Sequence, residues 1–348
     1  MMQLLQAARL LDAALVGEDV PFLAVSTDSR SVHTGALFVA LRGERHDGHA
    51  FLPQVAASGA VAAMVDARHV AAASGGPAPL PQLVVPDTRE GLGELARHWR
   101  RRFDLPLILV VGSNGKTTVK EMIAAVLRAH YGEEQTMATE GNFNNDIGLP
   151  LTLLRLREGH QCAVVEIGMN HAGEILPLAR MARPHVALVT SIAPAHIGHL
   201  GSMEAIADEK SCLFAGMRAG AVAVLNRDNR HYERLAAGAR RFGVTRIVGF
   251  GRSERTEARL LACSLHDSGS DVTVSLHGRR IDYRLGAPGE HWVLNSLAAL
   301  AVVEALGANV DRAAASLAEV TASPGRGARR RLRFGGGTIE LLDESYNA

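Results

Sequence analysis

Residues 107–127, "LILVVGSNGKTTVKEMIAAVL", constrain the fold of this chain more than any other stretch. The stretch begins as an uninterrupted apolar run, breaks into small polar residues, and then resumes with apolar residues three and four positions apart. A continuous β-branched and aliphatic run predicts a strand buried on both faces, and spacing of three and four predicts a helix. The order strand, loop, helix indicates an α/β fold.

The loop between this strand and this helix predicts a phosphate site. It consists of Gly112, Ser113, Asn114 and Gly115. Backbone N–H groups at the start of a helix lie at the positive end of its macrodipole, which favours an anion. Lys116 adds a cation for terminal phosphate oxygens, and the Thr117 hydroxyl is placed to ligate a bridging magnesium ion. The alternative is a plain βα turn that happens to contain Gly-Lys-Thr.

This loop departs from the most common phosphate-loop pattern. That pattern would place its first glycine at position 110, where the chain has Val110. The loop is instead a shorter G-x-x-G-K-T-T, which ends at Thr118.

Length and composition bound the class of protein. A chain of 348 residues with 47% hydrophobic residues predicts two or three domains with substantial cores. A net charge of +1 argues against a protein that coats nucleic acid, although two basic clusters, "RHWRRR" at 97–102 and "RGARRRLR" at 326–333, keep that alternative open. We interpret both clusters first as solvated helix or hinge surface.

Cysteine usage and hydropathy indicate the cellular compartment of the protein. The three cysteines, Cys162, Cys212 and Cys263, are far apart and indicate neither a disulfide framework nor a zinc site. We find neither an apolar stretch of membrane-spanning length nor the charged and small-residue features of a signal peptide. We therefore expect a cytoplasmic protein without a membrane span.

The pattern along the chain predicts a small N-terminal α/β unit over residues 1–85, followed by a mostly parallel sheet covered by helices. The strands of that sheet are expected at "LILVVG", "CAVVEIG", "HVALVTSI", "AVAVLN" and "RIVGFG". A hairpin at 271–285, a helix at about 290–306 and a new strand in "TIELLDESYNA" complete the prediction. A chain that ends on such a strand is expected to be cut.

Ligands of α/β sheets gather where the strands end. Glu166 ends a predicted buried strand, and a carboxylate there is costly without a cation, which favours a magnesium ligand over a salt-bridged structural glutamate. His196 follows the next strand, where a lone histidine is more often a hydrogen-bonded loop residue. Lys210 has the pattern of a surface helix lysine.

Several motifs together resemble the Mur peptide ligases, and among them the branch that joins D-alanyl-D-alanine to UDP-N-acetylmuramoyl-tripeptide. The resemblance covers essentially the whole chain. It is carried by "TDSR", "GALFVALRGERHDGHAF", "GSNGKTTVKEM", "GNFNNDIGLPLTLL", "EIGMNHAGEI", "AHIGHLGS", "HWVLNSLAA" and "DESYNA". Val111 departs from the threonine that is usual in the family.

The resemblance implies three domains. Residues 1–85 would bind the UDP-sugar, residues 86–322 would form the central P-loop ATPase domain, and residues 323–348 would hold the hinge and the first strand of a C-terminal domain for the dipeptide. That domain would begin near Gly337, so we expect this chain alone to bind UDP-sugar and nucleotide but not to ligate.

The resemblance also implies roles for individual residues. ATP and Mg²⁺ would be held by Gly112, Ser113, Asn114, Gly115, Lys116, Thr117, Thr118, Glu166, His196, Asn295, Arg326 and Asp343, with Glu344 an alternative to Asp343. Lys210 matches a lysine that is carbamylated in the family and would serve the second metal with His196. Trp292 replaces a common asparagine, which puts adenine contacts there in doubt. The substrate side would use Ser29, Arg30, Asp47, Gly48, His49, Asn144 and Asn145.

The implied activity is amide-bond formation through an acyl phosphate, with catalysis by Lys116, Lys210 and His196 and with ATP and Mg²⁺ as cofactors. Its partners would be UDP-N-acetylmuramoyl-tripeptide and D-alanyl-D-alanine, without nucleic acid, and the protein would be a monomer. The alternatives are a related ligase for a different amino acid, a nucleotide-dependent switch without a ligase step, and a nucleic-acid-binding protein.

Overall fold

The structure is a computed structural model that describes residues 1–72, 78–195, 197–322 and 325–347. Its strands are β1 Met2–Gln3, β2 Ala14–Val16, β3 Pro21–Phe22, β4 Ala24–Ser26, β5 Ala36–Val39, β6 Ala62–Asp66, β7 Gln82–Val85, β8 Leu107–Val111, β9 Thr136–Ala138, β10 Cys162–Glu166, β11 Val186–Val189, β12 Val222–Asn226, β13 Arg246–Gly251, β14 Ala258–His266, β15 Gly269–Leu276, β16 Arg279–Leu285, β17 Ala328–Phe334 and β18 Gly337–Asp343.

The α-helices are α1 Leu4–Leu11, α2 Leu52–Ala57, α3 Ala67–Ala72, α4 Thr88–Arg100, α5 Lys116–Tyr131, α6 Gly148–Leu153, α7 Ile175–Ala182, α8 Ile197–Leu200, α9 Met203–Ser211, α10 Tyr232–Arg241, α11 Glu290–Ala305 and α12 Val310–Ser316. Short 3₁₀ helices occupy Gly48–Phe51, Cys212–Gly216, Leu317–Glu319 and Ser345–Asn347. Among the described residues, we find no helix with both the length and the apolar character needed to cross a membrane.

The chain divides into two compact units. The first contains residues 1–104 together with 140–158, and the second contains residues 105–139 together with the described residues from 159 onward. A division into compact units does not show which ligand each part binds. The three functional domains expected from the family resemblance therefore remain a prediction.

The first unit is built on a five-stranded sheet in the order β2-β7-β6-β5-β4. Strands β4 to β7 are parallel and β2 is antiparallel to β7. Every residue of β5 and β6 is buried, as expected of parallel strands covered on both faces. Asp87 begins α4 by accepting hydrogen bonds from the backbone N–H groups of Arg89 and Glu90.

The second unit is built on a nine-stranded sheet in the order β16-β15-β14-β13-β12-β11-β8-β10-β9. The strands from β9 across to β14 are parallel, whereas β14, β15 and β16 are antiparallel. The predicted mostly parallel, helix-covered sheet is therefore confirmed. The chain passes from β8 towards β9 on one side and later to β11 on the other, so the strand order reverses beside β8, where such sheets bind ligands.

Helix α11 lies in the core of the second unit. Ten of its 16 residues are buried, and it packs against α5, α12 and the sheet. A helix that is apolar on nearly all sides is expected in that position. The predicted helix at about 290–306 is confirmed.

The sequence prediction missed several strands, including the short β2 and β9 and the longer β14 and β17. Strand β14 contains a register shift between Leu260 and Ala262, and such a bulge breaks the alternation by which a strand is recognised. The arginine-rich residues interpreted as solvated hinge form β17, which pairs with β18 in an antiparallel hairpin. Both strands of this hairpin are largely exposed, so no alternating apolar face marks them.

The interpretation of "RHWRRR" as solvated surface is wrong for two of its members, Trp99 and Arg100, which are both buried. Arg100, at the end of α4, is only 2% exposed. Its Nη1 donates to the carbonyl oxygen of Phe103 at 2.5 Å, so the buried guanidinium stabilises the backbone where the helix ends.

Candidate active site

The phosphate loop runs from the end of β8 to the start of α5, as the sequence predicts. A side chain at Gly112 would collide with Thr190, because a Cβ atom there would lie 1.9 Å from the threonine Oγ1. Gly115 has a φ of 78°, which favours glycine, and a Cβ atom there would lie 3.2 Å from Oδ1 of Asn295. The loop therefore fits closely between β11 and α11, and it places Asn295 beside it.

The segment after β11 holds this loop in place. The Ser113 N–H donates to the carbonyl oxygen of Ser191 at 2.9 Å, and the Asn114 N–H donates to the Ser191 hydroxyl at 3.1 Å. The Ser113 hydroxyl bonds to the carbonyl and N–H of Ala193, each at 3.0 Å. With these groups occupied, the first turn of α5, whose N–H groups have no intrahelical partners, is the end suited to bind an anion.

Lys116 lies over the loop that precedes it. Its Nζ donates to the carbonyl oxygens of Gly112 at 2.9 Å and Ser113 at 3.3 Å. Burial lowers the pKa of Lys116, Glu166 opposes that shift, and Arg326 adds to it. The ammonium is thus held by neutral carbonyls near one carboxylate, and it can turn from them to phosphate oxygens.

Thr117 and Glu166 meet at the carboxyl end of the sheet. The Thr117 hydroxyl donates to Oε2 of Glu166 at 2.8 Å, and the Glu166 side chain is buried at the end of β10. A hydroxyl and a carboxylate are hard oxygen ligands, and Mg²⁺ in nucleotide sites is commonly held by one or two such groups together with phosphates. The pair therefore fits magnesium bound with a nucleotide.

A second metal cannot be assigned ligands in the same way. The described residues contain no group of three or more His, Cys, Asp or Glu side chains that could hold a metal ion by themselves. His196 lies outside the described residues. Its role in a second metal site stays a prediction.

The interpretation of Lys210 as a surface helix lysine is wrong, because it is only 2% exposed. Helix α9 is covered by α10 and by the 3₁₀ helix that follows it, and periodicity within nine residues did not reveal this. Burial and the nearby Lys116 lower the pKa of Lys210 to about 7, while Glu209 opposes the shift. Near neutral pH a large fraction of this amine is uncharged.

Glu209 fixes the helix that carries Lys210. Its carboxylate accepts the backbone N–H groups of Gly173 at 2.9 Å and Ile175 at 3.0 Å, where α7 begins. A carboxylate at a helix N-terminus is stabilised by the unpaired N–H groups there. The sequence analysis missed Glu209, although its position next to Lys210 in "ADEK" was available as a signal.

A cleft of about 190 Å³ opens beside the first turn of α5. It is lined by Thr117, Thr118, Glu121, Ala125, Arg128, Trp292, Glu319, Val320, Thr321 and Arg326. It thus brings together three residues predicted to contact nucleotide, and it places Trp292 in the same wall. Arg326 stacks over the ring of Tyr346, with its guanidinium carbon 4.1 Å from the ring centroid.

Asp343 is not among the residues that line this cleft. Its carboxylate accepts the N–H of Gly325 at 2.9 Å and the hydroxyl of Ser345 at 2.6 Å. These bonds hold the turn beside Arg326. The alternative, Glu344, places Oε1 3.3 Å from the Cβ position of Gly327 in the same turn.

In the first unit, Asp47 and His49 form a charge cluster with Arg42 and Asp66, in which His49 and Asp66 are buried and Arg42 is exposed. The His49 Nδ1 lies 2.5 Å from Oδ1 of Asp47, and the Asp66 N–H donates to Nε2 at 3.1 Å. Both ring nitrogens are therefore occupied, with the proton on Nδ1. Gly48 donates its N–H to the Leu41 carbonyl at 2.8 Å, which closes the loop against β5.

Two more predicted substrate-side stretches lie in the first unit. Arg30 is exposed and pairs with Asp28 at 2.7 Å, and the neighbouring Ser29 is half-buried. Asn145 caps the start of α6 by accepting the N–H groups of Ile147 at 3.2 Å and Gly148 at 2.8 Å, and Asn144 precedes it. The cap uses the carbonyl side of the Asn145 amide.

Comparison with known families identifies two matching regions. Residues 22–100 match the Mur ligase family, catalytic domain, and residues 110–303 match the Mur ligase middle domain. The UDP-N-acetylmuramoyl-tripeptide–D-alanyl-D-alanine ligase of Escherichia coli is 39% identical over 99% of this chain and 73% of that relative.

Solved structures give the same result. MurF from Acinetobacter baumannii superposes with a TM-score of 0.87 at 30% identity, over 100% of this chain and 74% of the other. MurF ligase from Thermotoga maritima, in complex with ADP, superposes with a TM-score of 0.77 at 27% identity, over 93% and 71%. The chain therefore belongs to the Mur ligase family, and within it to the MurF type.

Proposed function

We propose that this protein is an ATP-dependent ligase that adds D-alanyl-D-alanine to UDP-N-acetylmuramoyl-tripeptide in peptidoglycan precursor synthesis. The observation that carries the proposal is the Thr117–Glu166 oxygen pair, with Glu166 buried, beside Lys116 at the start of α5. The name of the Escherichia coli relative supports the choice of substrates.

The proposed reaction has two steps. A carboxylate oxygen of the tripeptide attacks the γ-phosphorus of ATP, and the bond from that phosphorus to the bridging oxygen breaks to release ADP. The dipeptide amine then attacks the acyl carbon of the acyl phosphate, inorganic phosphate leaves, and the amine loses a proton. Carboxylate and triphosphate repel each other, so the site must supply positive charge.

Residues of this chain would supply the positive charge and would position the phosphates and Mg²⁺. Lys116 and the N-terminus of α5 would neutralise phosphate oxygens, and Thr117 and Glu166 would hold Mg²⁺. The metal, when bound, would add electrostatic stabilisation of the transferring phosphoryl group. An uncharged Lys210 amine can attack carbon dioxide and lose a proton to give a carbamate, an anionic oxygen ligand that with His196 would serve a second metal.

The remaining assignments form part of the same proposal. Residues 1–85 would bind the UDP-sugar through Ser29, Arg30 and the loop at 47–49, with Asn144 and Asn145 facing the substrate. Residues 86–322 would bind ATP, with Asn295 and Arg326 near the nucleotide, and residues 323–348 would begin the dipeptide domain. We place the reaction in the cytoplasm and the active protein as a monomer.

The test is incubation of the full-length protein with UDP-N-acetylmuramoyl-tripeptide, ATP and D-alanyl-D-alanine, with product mass and ADP release measured. We expect one pentapeptide product per ADP, with dependence on all three substrates. ADP release without an acyl acceptor would favour the nucleotide-dependent switch. Product formation only with another amine would favour a related ligase. The absence of both nucleotide binding and product would overturn the proposal.

A further inference from the structure

Lysine is rare in this chain, and every lysine lies in the second unit. Only three of its 37 basic residues are lysine, namely Lys116, Lys120 and Lys210, and the others are arginine. Two of these lysines have roles in the proposed reaction. The third, Lys120, lies one turn after Lys116 on α5 and has none so far.

The position of Lys120 is unusual for a charged side chain. It is completely buried. Its ammonium donates to the carbonyl oxygen of Thr139 at 2.7 Å and contacts the carboxylate of Glu121. A buried charge is costly unless it is paired and hydrogen-bonded, so this arrangement requires these partners.

Thr139 links Lys120 to the proposed metal ligand. Its hydroxyl accepts the backbone N–H of Glu166 at 3.0 Å, and its own N–H donates to the Val164 carbonyl at 3.0 Å. Glu166 in turn accepts the Thr117 hydroxyl. Thr117 and Lys120 are three residues apart on α5 and therefore lie on one face of the helix. The hydrogen bonds form a closed ring from α5 through the end of β10 and the residue after β9, and back to α5.

We propose that Lys120 is a positioning residue that fixes the Glu166 carboxylate for Mg²⁺·nucleotide. The inference rests on the proposed function of the same site. The compact ammonium bridges α5 to the Thr139 carbonyl, and the Thr139 hydroxyl then holds Glu166 at the end of β10. A branched, planar guanidinium would need more space and more acceptors than one carbonyl and one carboxylate provide. These space and acceptor limits favour lysine over arginine at position 120, although most basic residues of the chain are arginine.

A purely structural role makes a different prediction. If Lys120 only anchors α5 to the residue after β9, its removal lowers stability and leaves metal binding of the folded protein unchanged. Groups that orient a metal ligand typically change metal affinity by about 10–100-fold when they are removed. Metal affinity in folded protein therefore separates the two roles.

The test compares Lys120→Met, Thr139→Val and Thr139→Ser in the full-length protein. Mn²⁺ binding in the presence of ADP is measured by electron paramagnetic resonance, ADP binding without metal by calorimetry, and folding by urea unfolding. We expect Lys120→Met and Thr139→Val to weaken Mn²⁺ binding by about tenfold or more, with metal-free ADP binding within about twofold. Thr139→Ser keeps the hydroxyl that accepts the Glu166 N–H, so it should bind Mn²⁺ nearly as wild type does.

Arg100→Met is the matched control, because it also removes a buried cation that donates to a backbone carbonyl, but in the first unit. It should lower stability without changing Mn²⁺ affinity. Wild-type Mn²⁺ affinity in folded Lys120→Met would overturn the inference, and if that variant does not fold, wild-type affinity in Thr139→Val would do the same. Absence of Mn²⁺·ADP binding by the wild type would instead overturn the nucleotide site itself, and this inference with it.

Discussion

The two compact units each bury charged side chains, but the buried charges differ in how fully neighbouring groups of opposite charge compensate them. In the first unit, Arg42 bonds to Asp66 at 2.5 Å and to Asp47 at 2.6 Å, and His49 joins the same acids. Each charge there has an opposite charge or a hydrogen-bond partner. The pKa of Asp66 is accordingly lowered to about 2, chiefly by its hydrogen bond to Arg42.

In the second unit, Lys116 and Lys210 are compensated less fully, because neighbouring carboxylates only partly offset the effect of burial on their pKa values. Lys116 bonds to neutral carbonyls, and the pKa of Lys210 falls to about 7 through burial and through the nearby Lys116. Burial of a partly compensated cation costs folding free energy. The first cluster therefore stabilises the fold, whereas the second retains positive charge for a ligand. Removing Asp66 should therefore cost stability, whereas removing Lys116 or Lys210 should cost activity.

The largest effect is expected at Lys116. In the full-length protein, Lys116→Ala removes the fixed cation at the proposed γ-phosphate position, and we expect kcat/KM to fall by about 10²–10³-fold or more with the fold intact. Arg241→Ala, which removes an exposed cation from α10, is the control and should retain activity. Ligation rates and urea unfolding give both readouts. Normal turnover by Lys116→Ala would contradict the assignment of this loop as the nucleotide site.

A smaller but more specific effect is expected at Lys210. Lys210→Ala should lose about 10–100-fold in activity, as when a metal site loses an orienting or ligating group. Its unfolding free energy at neutral pH should not fall, because the variant no longer buries an ammonium. Short-chain carboxylic acids such as acetate should restore part of the activity by supplying the missing anionic oxygen, and they should not accelerate the wild type. Undiminished activity would remove Lys210 from the mechanism.

The smallest effect is expected at Asp66, and it should be on stability. Asp66→Asn removes the acceptor charge for Arg42, and we expect about 1–3 kcal/mol less unfolding free energy at pH 7. The native pKa of about 2 lies below the ordinary value of 3.8. The Asp66 carboxylate therefore makes its full contribution to the unfolding free energy above about pH 4 and loses it as the pH falls towards 2. The difference in unfolding free energy between wild type and Asp66→Asn should shrink over that range in acid unfolding.

Asp28→Asn is the control for that comparison. The pKa of Asp28 is also lowered to about 2, through Arg30, but this ion pair is exposed. Exposed pairs contribute about 0–1 kcal/mol, so the variant should be nearly as stable as the wild type. Equal losses for Asp28→Asn and Asp66→Asn would mean that burial does not separate the two pairs.

The sequence by itself determined the local features. The strand at Leu107–Val111, the loop and the helix from Lys116 were predictable, because hydrophobic period and glycine placement are local properties. Glu166 at a strand end was predictable for the same reason. The parallel sheet followed from the alternation of strands and helices.

The tertiary structure alone decided which charges are buried and what they contact. Lys210 has a surface pattern yet is enclosed, since the elements that cover α9 come from elsewhere in the chain. Lys120 acquires its partner from a residue 19 positions away, and Ser113 bonds to a segment about 80 positions away. Burial, pKa shifts and closed hydrogen-bond rings depend on neighbours that packing brings together, and local periodicity carries no information about those neighbours.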